Sequence, residues 1–131
     1  MREASCSCGH LKAVCEGDPV MVSLCHCLSC QRRTGSAFSV QAWFPQDRVT
    51  AAGDATVHSR QGESGGSVHF WFCPSCGGTV FWQADTAPGM TAVAVGCFAD
   101  PSFPGPLRSI WERRQHRWTD ALRSSIATHQ D

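Results

Sequence analysis

The chain has 131 residues, enough for one domain with a sizeable core. Its 11 basic and 11 acidic side chains cancel, so it lacks the basic excess of a duplex-DNA or acidic-membrane binder. No apolar run reaches membrane-spanning length, and "MREASCSCGH" lacks the charged-then-apolar pattern of a secretory signal. The expected setting is therefore soluble and cytoplasmic.

In chain order the pattern is β-rich. "LKAVCEG" and "VMVSL" alternate or run apolar over strand length and are broken by "GDP". "SAFSVQAWF" follows and ends at Pro45. "ATVHSR" and "SVHFWF" are separated by "QGESGG", which reads as a hairpin or loop. "GTVFWQ" and "MTAVAVG" come next, separated by "ADTAPG". No stretch sustains a helical period. Short strands with Gly/Pro turns predict an open antiparallel sheet system or sandwich. "DPSFPGP" is turn-rich and predicted to wrap the surface, and "RSIWERRQHRW" can add one more strand or short helix. One domain over residues 1–122 and a frayed C-terminal tail over 123–131 complete the reading.

Nine cysteines require an explanation. They cluster as Cys6-x-Cys8, Cys25-x-Cys27-x-x-Cys30 and Cys73-x-x-Cys76, with Cys15 and Cys97 apart. In a reducing compartment such spacings point to metal ligands or redox groups, and a disulfide scaffold is the alternative. "FCPSCGG" is the most specific signal. Two cysteines two residues apart can turn both sulfurs to one cation, Pro74 fixes the turn, and the following glycine permits a positive φ. A structural zinc needs four ligands. "CSCGH" supplies Cys6 and Cys8, which face the same way on extended chain, so a tetrathiolate zinc with Cys73 and Cys76 is expected.

Cys25, Cys27 and Cys30 then remain. Three protein ligands with an open position is the pattern of a catalytic zinc. Alternatives stay open: Cys15 or Cys97 could close the site, or Cys27 and Cys30 could form a redox pair. Three thiolates give a weakly Lewis-acidic zinc better matched to a soft thiol than to water. His26, between two ligands, reads as a surface or supporting group. Arg32 and Arg33 could meet substrate carboxylates or be solvated charges. Trp43, Trp71 and Trp82 read as core or sheet-face residues.

"CSCGHLKAVCEG", "CHCLSCQRRTGSAFSV" and "FCPSCGGTVFW", in that order, resemble the motifs of the glutathione-dependent formaldehyde-activating enzyme family, which also includes centromere protein V. The likeness continues through "VAVGCFADP" and "PLRSIWERRQHRW". The resemblance implies a mainly β, β-tent fold, a structural zinc on Cys6, Cys8, Cys73 and Cys76, and a second zinc on Cys25, Cys27 and Cys30. It also implies a carbon–sulfur lyase reaction, the joining of formaldehyde to glutathione as S-hydroxymethylglutathione, with glutathione as small-molecule partner. Cys97 departs from the family pattern, which commonly has a short polar residue there, and Cys15 is a second departure. The general acid is not named by the sequence; His26, Ser36 and a water are candidates. The alternative function is a zinc-stabilised binding module or a thiol carrier without catalysis. "RRQHR" at 113–117 is the one basic cluster, and no nucleic-acid or membrane partner is expected.

Overall fold

A computed structural model describes residues 1–123 and 126–130. The chain is mainly β, with open sheets, in one domain. A three-stranded sheet has the order β1 (Arg2–Ser5), β2 (Lys12–Cys15), β5 (Val49–Ala52). An eight-stranded sheet comprises β3 (Met21–Cys25), β4 (Ser39–Pro45), β6 (Thr56–Gln61), β7 (Ser67–Phe72), β8 (Thr79–Ala84), β9 (Met90–Ala94), β10 (Arg108–Ile110) and β11 (Thr128–His129). Its spatial order is β11-β10-β3-β4-β9-β8-β7-β6. Two helices, α1 (Leu28–Thr34) and α2 (Asp120–Arg123), lie outside the sheets.

Each strand expected from the apolar runs is present. The purely antiparallel expectation is corrected at one edge, where β10 pairs with β3, and β11 with β10, in parallel. Between β3 and β10 the chain traverses the rest of the large sheet, and a connection that long leaves strand direction free where a hairpin would not. The short edge strands β1 and β5 carry only "REAS" and "VTAA", too little pattern to read as strands. The described part of the expected frayed tail is packed against the body: Ile126 is buried and β11 extends the sheet. Ser124, Ser125 and Asp131 of that segment lie outside the described residues.

Strand alternation divides the large sheet into two faces. Val22, Ala42, Phe81 and Val93 point to one face and cluster with Ala4, Ala13 and Cys15 of the small sheet and with Leu11 just before β2, with Phe44 fully buried among them. This is the main core. The other face carries Trp43, Phe70, Trp82 and Ala92 in one lateral row, with Arg60, Val68 and Ala84 in the next. That second face ends at Cys25, opposite Ser39, and becomes the floor of the candidate site.

Candidate metal centres and the cleft beside them

Four Sγ atoms, those of Cys6, Cys8, Cys73 and Cys76, lie within 4.8 Å of one another. Cys6 and Cys8 are 3.7 Å apart and Cys8 and Cys73 are 3.6 Å apart. The edge of a tetrahedron with zinc–sulfur bonds of about 2.3 Å is about 3.8 Å, so the donor set fits a tetrathiolate zinc in type, number and spacing. Both loops turn as their glycines permit: Gly9 has φ 84° and Gly77 φ 78°. Backbone donors face the sulfurs. The Leu11 N–H donates to Cys6 Sγ at 3.3 Å and lowers that thiol to about 6. The Gly78 N–H lowers Cys76 in the same way, and the Ser75 N–H reaches Cys73 Sγ at 3.4 Å. Cys6 and Cys73 are buried, whereas Cys8 and Cys76 are exposed.

The second cluster joins Cys25, Cys27 and Cys30, again within 4.8 Å. Cys25 ends β3, Cys27 caps α1, and Cys30 sits in its first turn. No helical period is legible here because α1 has only seven residues; its end is set by Gly35 at φ 68°. Hydrogen bonds from the Cys25 and Cys27 thiols, then one from Ser39 and the charge of Arg33, hold the Cys30 thiol far below its usual range. Cys25 is pushed up by its bonds to Cys27 and Cys30 and by burial. Three soft donors sharing protons in this way fit a thiophilic cation that displaces those protons.

Neither Cys15 nor Cys97 joins either cluster. Cys15 is fully buried in the main core. The Cys97 thiol donates to the Thr79 carbonyl at 3.5 Å. The alternative in which one of them closes the second site therefore fails on position. Of the two readings of His26, surface or supporting group, the surface one fails: it is 2% exposed. Its Nε2 is 3.2 Å from Ser109 Oγ and its ring meets the edge of Phe38.

Beside the triad is a cleft of about 180 Å³. Trp43, Phe70 and Trp82 form its apolar floor, and Gln41 is its buried polar group. Gln41 accepts from Ser39 Oγ and donates to Ser23 Oγ, each at 2.9 Å. The β6–β7 turn, residues 62–65, forms a wall, and a contact of 3.7 Å between Glu63 and Arg113 ties that turn to the segment after β10. Trp43 and Trp82, expected in the core or on a sheet face, stand on the sheet face that floors the cleft; Trp71 stacks on Phe81 at 5.2 Å and packs on the main core. Arg33 lines the cleft, whereas His26 and Ser36 do not. Sequence reasoning missed Arg60, Ser39 and Gln41. Their signal was alternation: in "FSVQAW" and "TVHSRQ" these residues fall on the same face as Trp43 and Phe70.

The geometry is that of a β protein with two preorganised thiol clusters, one of four sulfurs and one of three. The family model for glutathione-dependent formaldehyde-activating enzyme matches residues 1–114, and the chain belongs to that family. A crystal structure of a Rhodobacter sphaeroides protein from a structural genomics programme is similar in fold, with a TM-score of 0.57 and 21% identity. The similarity covers 72% of this chain and 85% of that one. A search of curated proteins gives no match. Among the described residues no helix is long and apolar enough to cross a membrane.

Proposed function

We propose that both clusters bind zinc, and that the Cys25, Cys27 and Cys30 site joins a thiol to an aldehyde, with glutathione and formaldehyde as the substrates the family name suggests. The observation that carries this reading is the contrast between the clusters: four sulfurs complete one donor set, while three sulfurs beside a cleft leave one position for a ligand. Zinc held by the three cysteines would lower the pKa of an added thiol and supply thiolate at neutral pH.

The chain's own residues shape the reaction. Trp43, Phe70 and Trp82 exclude water from one side of the cleft, and the Ser23–Gln41–Ser39 row fixes the polar groups behind the triad. The substrate sulfur attacks the aldehyde carbon, a carbon–sulfur bond forms, and the carbonyl electron pair moves to oxygen, which takes a proton. Neither His26 nor Ser36 lines the cleft, so neither is assigned as the acid. The reverse reaction is the lyase direction.

Cobalt(II) substitution tests the site. Glutathione added to the cobalt-loaded protein is expected to change the sulfur-to-cobalt absorption, and Cys27→Ser to abolish the change. The same variant is expected to lose acceleration of S-hydroxymethylglutathione formation from 13C-formaldehyde by NMR. An unchanged spectrum up to millimolar glutathione would reject the thiol-site reading and leave a binding module with two closed metal sites.

A further inference from the structure

The triad cleft does not end at its sulfurs. A second compartment of about 490 Å³ shares Ser29, Arg33, Arg60 and Phe70 with it and is further lined by Arg32 and His58. Among the described residues no acidic side chain lines this compartment. The Arg33 guanidinium lies over Trp82, 4.2 Å from the ring centre, and 5.3 Å from the centre of Phe70. Arg60, from β6, lies 5.4 Å from the centre of that same Phe70 ring. Nε and Nη2 of Arg33 are buried and have no hydrogen-bond partner among the described residues.

That arrangement is electrostatically incomplete. Two guanidinium groups are positioned at one aromatic ring, which offsets part of their cost by cation–π attraction, and the carboxylate that lines the neighbouring cleft, Glu63, faces Arg113 at 3.7 Å. Buried N–H donors without acceptors are costly. An anion bridging Arg33 and Arg60 would satisfy both, and planar guanidinium groups favour carboxylate in a two-point contact. The register explains how the pair arises. Arg33 lies one turn beyond Cys30 on α1, and Arg60 and Phe70 project from β6 and β7 onto the cleft face.

We infer that Arg33 and Arg60 form a carboxylate clamp that selects, for the triad, a thiol whose body carries carboxylate groups. This deepens the proposed function and rests on it for the thiol, but the clamp is testable without any thiol. S-methylglutathione has the carboxylates and no free sulfhydryl, and its diethyl ester has neither charge.

Calorimetry on the zinc-loaded protein at low salt compares the two probes. The acid is expected to bind about tenfold more tightly than the ester, the worth of one charge-assisted hydrogen bond. Arg60→Gln and Arg33→Gln should each bring the acid down toward the ester, with Arg60→Lys recovering part of the difference. Thermal melting of each variant, unchanged within a few degrees, shows that the fold is retained. Equal binding of acid and ester, binding of neither, or an acid preference that survives both glutamine variants would overturn the clamp. Failure of the metal-thiol reading shows elsewhere: glutathione would then bind no better than S-methylglutathione, while an acid preference lost in Arg60→Gln would still support the clamp.

Discussion

The Sγ of Cys27 accepts the backbone N–H of Cys30 at 3.2 Å, so one side chain is both the N-cap of α1 and a member of the three-sulfur cluster. Helix and cluster therefore form together. A serine at this position can still cap the helix, because its hydroxyl accepts the same N–H. It is a poor ligand for a soft cation. Cys27→Ser is expected to leave the fold intact and lower the bound metal by one equivalent, whereas Cys27→Ala should lose the cap as well. The alanine variant should be less stable than the serine variant by about 1 kcal/mol in the metal-free state. Urea unfolding with chelator present measures the difference, and equal stabilities would show that the cap contributes nothing.

Gly53 fixes the approach of the β5 end to the first metal loop. Its φ is 95°, and a Cβ there would sit 1.7 Å from the His10 carbonyl oxygen, a backbone atom that cannot swing away. Gly53→Ala should cost more than about 2 kcal/mol, from left-handed strain plus displacement of the loop that carries Cys8. Gly105→Ala, which meets nothing within 4 Å, is the control and should be near neutral. Chemical denaturation of both variants decides it; a Gly53→Ala protein as stable as the control would mean that the loop shifts at no cost.

What could be read in the sequence, and what could not, follows from the range of the interactions. Cys73, Cys76 and Gly77 form a local turn, so their spacing carried the geometry directly. The four-sulfur set could be assembled because only one other cysteine pair had a following glycine. Arg60 and Gln41 could not be placed in that way. They reach the cleft through the lateral order of the strands, which brings β6 and β4 to one face across β9, β8 and β7. The parallel pairing of β10 with β3 was hidden for the same reason: three residues on each side, Ser109 opposite Leu24 and so 85 positions apart, leave no local trace.

Asp85 accepts the Ser67 backbone N–H at 2.9 Å, tying the end of β8 to the start of β7. That bond, with a smaller contribution from His69, lowers the Asp85 carboxyl below its ordinary value of 3.8. A carboxyl depressed on folding stabilises the fold above its unfolded pKa and stops doing so as pH falls through the folded value. The tie should therefore be intact at pH 5 and lost only below pH 3.8. The Ser67 amide proton shift is expected to titrate with a midpoint below 3.8 and to become pH-independent in Asp85→Asn. A midpoint at or above 3.8 would contradict the hydrogen bond.

Cys8 and Cys73 are 65 positions apart in sequence and 3.6 Å apart at sulfur, so a metal on the four-sulfur cluster closes most of the β-sheet into one loop. On chain-entropy grounds a link across that span is worth about 4 kcal/mol to the folded state. The three-sulfur cluster spans only residues 25–30 and gains little from loop closure. Cys76→Ser should therefore destabilise far more than Cys27→Ser, although each removes one thiolate from one cluster. The damage should start at the small sheet, because Cys6 and Cys8 follow β1 directly and β1 pairs only with β2. Hydrogen exchange on the zinc-loaded proteins is the measurement. Cys76→Ser should lose protection first in residues 2–15, and Cys27→Ser should keep it there while losing protection in α1. Equal loss in both variants would make the triad as structural as the tetrad and would remove the main support for a substrate at its open side.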